Sequence, residues 1–155
     1  MLKFEKGDMV ESTCRIFCQQ VNCKGVMGSG LAKQIRAYYP EVYHEYKRFC
    51  DNGNARLGEI QFVKTHDYRI CVNMFSQYSY GHNARYTNYE AFKKCLDKLT
   101  EKFREAPSKT EIVFPYHIGC GYGGGDWNTI LNMLSAFSET VPCNVTIMEK
   151  EDYAG

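Results

Sequence analysis

RIFCQQVNCKGVMGSGLA, residues 15–32, reads as a strand that ends in a glycine turn and runs straight into a helix. Arg15–Asn22 is the strand, Gly25-Val26-Met27-Gly28-Ser29-Gly30 the turn, and Ser29–Tyr39 carries the helical pattern. The same order returns late in the chain. Glu111–Tyr116 is strand-like, Gly119-Cys120-Gly121-Tyr122-Gly123-Gly124-Gly125 is the turn, and Asp126–Ser138 is helical. Glycine lets the main chain approach a phosphate closely, and a helix N-terminus adds free N–H donors with positive dipole. Two such cradles suit a diphosphate held between them.

The remaining elements fill in around these two units. Leu2–Lys6 alternates as a first strand, and Pro40 separates the helix ending at Tyr39 from one over Glu41–Asp51. Leu57–Thr65 and Arg69–Phe75 read as strands joined at His66-Asp67-Tyr68, a hairpin, and Gln77–Arg85 as a polar, aromatic loop. Thr87-Asn88-Tyr89-Glu90 has the form of a capping box with Thr87 as N-cap, followed by Phe92, Cys95, Leu96, Leu99 and Phe103 at helical spacing. Cys143–Met148 is a last strand. Strands alternating with helices predict a three-layer α/β/α sandwich, and the hairpin makes its central sheet mixed.

The chain has 155 residues, with 19 basic and 18 acidic side chains. That length suits one domain over residues 1–155, and no long basic run marks a sequence-specific nucleic-acid partner. No apolar stretch approaches a membrane span and no signal-like segment opens the chain, so a cytoplasmic location is expected. The eight cysteines are scattered singly through strand and helix patterns and read as free thiols. Cys14, Cys18 and Cys23 fit no zinc or iron–sulfur spacing; Cys14 and Cys18 are expected to share one strand face as small apolar residues. No metal or cofactor is implied.

Several residues carry two readings. Gly119-x-Gly121-x-x-Gly124 matches a dinucleotide fingerprint, but too little chain follows for the acidic residue such a site needs. Neither glycine turn ends in the Lys-Ser/Thr of a P-loop. Cys120 with His117 is a candidate nucleophile–base pair without an orienting third group. Asp126 stands where an N-cap belongs, and beside the second turn it is equally placed to activate a water. Asn22 either forms an Asx turn or orients a ribose hydroxyl.

Gly7-Asp8-Met9, Val21-Asn22-Cys23-Lys24-Gly25-Val26-Met27-Gly28-Ser29-Gly30-Leu31-Ala32 and Phe114-Pro115-Tyr116-His117-Ile118-Gly119-Cys120-Gly121 together resemble the macrodomain family, from Leu2 to Met148. The form is similar to the branch of ADP-ribose-1''-phosphate phosphatases, terminal ADP-ribose glycohydrolases and antitoxins that reverse DNA ADP-ribosylation. The resemblance implies ADP-ribose, or an ADP-ribosylated molecule, as ligand. It implies that Asp8 takes the adenine amino group with Met9 backing the ring, and that Asn22 lies near the distal ribose. It further implies that Gly25, Val26, Met27, Gly28, Ser29 and Gly30 wrap that ribose and a phosphate. Gly119, Cys120, Gly121, Tyr122, Gly123 and Gly124 would complete the diphosphate grip.

The chain also departs from that branch. Gln77–Arg85 has no lysine where glycohydrolases and antitoxins use one, and Gln19-Gln20 stands where the phosphatases have a histidine. Gly123 occupies the place of the glycohydrolase aspartate, and Asp126 follows three residues later. The expectation is therefore hydrolysis of an ADP-ribose derivative by a water that Asp126 activates, with Asn22 positioning the ribose. The alternative is a reader that binds ADP-ribose without turning it over.

Overall fold

A computed structural model describes residues 1–150. Its centre is a six-stranded sheet in the order β1-β6-β5-β2-β4-β3. The strands are β1 Leu2–Lys6, β2 Ile16–Val21, β3 Ile60–Lys64, β4 Ile70–Phe75, β5 Glu111–Pro115 and β6 Asn144–Glu149. All neighbours run parallel except β3, which pairs antiparallel with β4 through the expected hairpin. Helices α1 Gly30–Tyr38 and α2 Pro40–Asp51 cover one face. Helices α3 Tyr89–Lys102 and α4 Trp127–Ser138 cover the other. This is the three-layer sandwich with a mixed sheet.

Alternation along β2 serves both layers at once. Ile16 and Cys18 face the α3/α4 core with Val72, Ile112, Leu99 and Leu134. Phe17 and Val21 face the α1/α2 core with Ile35, Val42 and Tyr46. Because both faces are buried, β2 reads as a near-continuous apolar run until Gln19 and Gln20. Pro40 begins α2 at the first helical position, where its missing N–H has no intrahelical partner to lose.

Two local expectations are corrected. Cys14 precedes β2 and packs on the α1/α2 side, whereas Cys18 is buried on the α3/α4 side, so they do not share a face. Asn88, not Thr87, caps α3, its side chain accepting from the Ala91 N–H at 2.9 Å. Thr87 is drawn inward instead, and its hydroxyl is used elsewhere.

The connections give the sheet a switch point. The chain leaving β2 passes through α1 and α2 on one face, while the chain leaving the adjacent β5 passes through α4 on the other. In open α/β sheets such divergence opens a crevice beyond the strand C-termini. Here the strands themselves part as well. Pairing between β2 and β5 covers only Ile16 with Ile112 and Phe17 with Val113, while β2 stays paired to β4 through Val21. Both glycine turns leave from this fork.

Candidate functional site

The first turn is built on Asn22. Its Oδ1 accepts from the Lys24 N–H (2.9 Å), the Val26 N–H (3.3 Å) and the Tyr46 hydroxyl (2.7 Å). Its Nδ2 donates to the Val26 carbonyl at 2.8 Å. Burial pushes the Tyr46 hydroxyl well above its ordinary pKa, which keeps it a donor. Asn22 thus makes the Asx-type turn, and its oxygen is committed to shaping the loop. Gly25 is buried against Lys47 and Cys50 with φ +78°, and Met27 is a core side chain. Gly28, Ser29 and Gly30 remain exposed, with Val26 at the rim. Ser29 occupies the N-cap of α1, yet its side chain accepts no bond and no acidic residue stands in the first turn. The leading N–H groups of α1 therefore face outward as donors.

The second turn is held from within and from below. The Gly125 N–H donates to the Gly119 carbonyl (2.9 Å) and the Gly124 N–H to the Gly121 carbonyl (3.0 Å). The Tyr86 and Thr87 N–H groups both donate to the Gly123 carbonyl, at 2.7 and 3.0 Å. A Cβ on Gly123 would lie 2.6 Å from the Thr87 hydroxyl and 2.7 Å from the Gly119 carbonyl oxygen. One on Gly124 would lie 2.8 Å from the Ala84 carbonyl oxygen. These glycines are required by packing. Gly121 is different, since its Cβ would meet nothing within 4 Å, and at Gly28 only Val26 comes near, at 3.7 Å. The two turns face each other, with the Tyr122 ring 3.9 Å from the Cβ position of Gly30.

Asp126 caps α4: its Oδ2 accepts from both the N–H and the hydroxyl of Thr129, each at 2.9 Å. Oδ1 accepts no bond among the described residues, and the side chain is exposed. The nearby Cys120 thiol is pushed up to about 11, first by burial and then by the Asp126 charge. It donates weakly to the Ile118 carbonyl at 3.5 Å. Burial thus favours the thiol over the thiolate, which works against Cys120 as a nucleophile.

Asp8 follows β1, three strands from β2, or roughly 14 Å away along the sheet edge. Its carboxylate accepts from the Val10 N–H (2.9 Å) and from Gln34 Nε2 (3.1 Å), and Lys150 Nζ lies 3.3 Å away. Burial opposes its charge, but the bonds from Gln34, the Glu11 N–H and Lys150 outweigh burial and hold the pKa below the ordinary value. The Met9 side chain is 4% exposed and belongs to the α1/α2 core.

The sequence did not bring together Gln20, Ser76, Gln77 and Thr87, which form a polar cluster beneath the second turn. Loop 77–85 adds an aromatic rim with Tyr122 of the second turn. Tyr78, Tyr80 and Tyr122 are 57%, 53% and 56% exposed. Lys24 lies over the Tyr78 ring at 4.2 Å, and His82 meets Tyr122 edge-on at 4.3 Å. One signal for this rim was available. No Asp or Glu occurs between Glu11 and Glu41, between Asp67 and Glu90, or between Glu111 and Asp126, so all three loops at the fork lack carboxylates until Asp126.

Comparison with known proteins is consistent with this geometry. The DNA ADP-ribosyl glycohydrolase of Mycobacterium tuberculosis is 27% identical over 140 residues, covering 90% of this chain. The chain spans only 39% of that relative's length. The macrodomain of Mycobacterium tuberculosis DarG superposes with a TM-score of 0.83 at 25% identity, over 96% of this chain and 97% of that one. Thermosipho africanus DarTG in complex with ADP-ribose shares the fold, with a TM-score of 0.80 at 20% identity over 99% of this chain and 43% of that one. Among the described residues no helix is long and apolar enough to cross a membrane. The Macro domain family model matches residues 18–134, and the chain belongs to that family.

Proposed function

We propose that the chain binds ADP-ribose across the fork and hydrolyses an ADP-ribosyl conjugate there. The observation that carries this reading is the pair of open glycines, Gly28 and Gly121, on facing turns, with uncapped α1 donors beside them. A diphosphate fits between two backbone surfaces that no side chain fills. Asp8, three strands along the sheet, is the group assigned to the base at the far end of the ligand. Asp126 is the base on water: Oδ2 is fixed by Thr129 and orients the carboxylate, which leaves Oδ1 as proton acceptor. Asn22 acts through the shape of the first turn.

The acceptor chemistry is read from the relatives and the rim. Relatives are named for DNA ADP-ribose removal, and a carboxylate-free rim of exposed tyrosines with Lys24 and Arg85 suits nucleotides stacked beside the modified one. Two observations favour the reader instead. Asp126 already satisfies its capping role, and Gln77–Arg85 has no lysine.

Calorimetry is expected to give micromolar or tighter ADP-ribose binding, about −8 kcal/mol or more favourable. AMP should bind far more weakly, and equal affinity for the two would remove the two-turn grip. Release of ADP-ribose is then followed from an ADP-ribosylated oligonucleotide, an ADP-ribosylated peptide and ADP-ribose-1''-phosphate. Tight binding with no turnover of any conjugate would leave the reader.

A further inference from the structure

We infer that Gln20 is a positioning residue that locks loop 76–87 to the second glycine turn and thereby sets the side of the cleft that this turn lines. Gln20 lies past the point where β5 leaves β2, so its strand has lost one lateral neighbour there. Its carboxamide fills the fork on the α3/α4 side. Oε1 accepts from the Ser76 hydroxyl at 2.7 Å. Nε2 donates to Gln77 Oε1 at 2.8 Å and to Thr87 Oγ1 at 2.9 Å.

The chain of bonds continues on both sides. The Thr87 hydroxyl donates to the Gly119 carbonyl at 2.6 Å, and Gln77 Nε2 donates to the Ser79 carbonyl at 2.8 Å. One side chain on β2 therefore bonds loop 76–87 directly and reaches the second turn through Thr87. The fit is close: Cβ positions on Gly119 and Gly123 would lie 3.0 and 2.9 Å from the Gln20 amide atoms. Thr87 gives up the helix cap to Asn88 and spends its hydroxyl here. The first turn has no part in this network, since Asn22 and Tyr46 hold it on the opposite face of the sheet.

A glutamine is suited to the junction because it presents a donor and an acceptor at once. Glutamate of the same size keeps the acceptor and loses both donated bonds. The ligand half of the test rests on the ADP-ribose reading; the hydrogen-exchange half does not. In Gln20→Met and Gln20→Glu, which lose three and two hydrogen bonds, amide exchange without ligand should rise about tenfold or more at Gly119–Gly125 and across Gln77–Thr87. Exchange at Gly25–Gly30 should stay at wild-type rates. ADP-ribose affinity should fall about tenfold while AMP affinity is unchanged. Thr87→Val should act alike, and the Gln20→Met/Thr87→Val double variant should be no weaker than the weaker single. Wild-type exchange in either segment, a uniform rise across all three, or additive losses would overturn the lock. If wild type bound no ADP-ribose, the proposed function would fail and the exchange pattern would still decide the lock.

Discussion

The two glycine turns look alike on the page and differ in what their glycines do. In the first, an asparagine and a buried tyrosine shape the loop from below, and Gly28–Gly30 stay open above an uncapped helix. In the second, Gly123, Gly124 and Gly125 have no room for a Cβ because loop 84–87 and the turn's own carbonyls occupy it. Only Gly121 stays open there, and the helix that follows is capped by Asp126. The first turn leaves its glycines and helix start open. The second is filled by its own packing and ends at the Asp126 cap. Glycine density marks both but does not tell close approach of a ligand from close approach of the chain to itself.

The largest effect expected from breaking this contrast is at Asp126. Asp126→Asn keeps the cap, since asparagine caps about as well as aspartate. Loss of the base should lower turnover of the best conjugate roughly 10²–10⁴-fold with ADP-ribose affinity retained. Unchanged turnover at saturating substrate would leave Asp126 as a cap alone.

The glycines come next. Gly28→Val and Gly121→Val should each weaken ADP-ribose binding about 100-fold, the 1–3 kcal/mol of overpacking directed at the ligand, with the melting temperature nearly unchanged. Gly123→Ala should do the reverse, destabilising the fold by about 1–3 kcal/mol in chemical denaturation. A thermal loss at Gly121, or none at Gly123, would erase the division between open and closed glycines.

Asp8→Ala should weaken ADP-ribose binding by about 1.5–3 kcal/mol. Asp8 also holds the Val10 N–H and Gln34, so a smaller fall in melting temperature should accompany it. The pH dependence has a definite sign. Its folded pKa lies below the ordinary value of 3.8, so its contribution is present above about pH 4 and fades as pH falls through the folded value. The melting difference between wild type and Asp8→Asn should shrink over that acid range, and a difference that grows there would overturn the assignment.

The smallest effect is a rate of labelling. Alkylation of Cys120 should be slow at neutral pH and rise toward its pKa of about 11. Asp126→Asn, by removing a negative charge near the thiol, should make labelling faster at any one pH. Turnover that tracks Cys120 labelling would restore the thiol as a participant.

Residue order alone determined the element sequence, the hairpin between β3 and β4 and the mixed three-layer sheet, because periodicity and turn chemistry are local; the family came from the resemblance of its motifs. It also placed both turns and the Asp126 cap. What it left undecided was which polar groups at the fork face a ligand and which face each other. Thr87 read as a cap because Thr-x-x-Glu is a capping signature, yet a carbonyl of the second turn, distant in sequence, claims its hydroxyl. Met9 and Met27 read as ligand neighbours and lie in the core. Gln19-Gln20 read only as a departure from the phosphatase histidine, because a glutamine in a strand has no local signature of a junction. The role of Gln20 exists only where β5 leaves β2, and that divergence is a property of the assembled sheet.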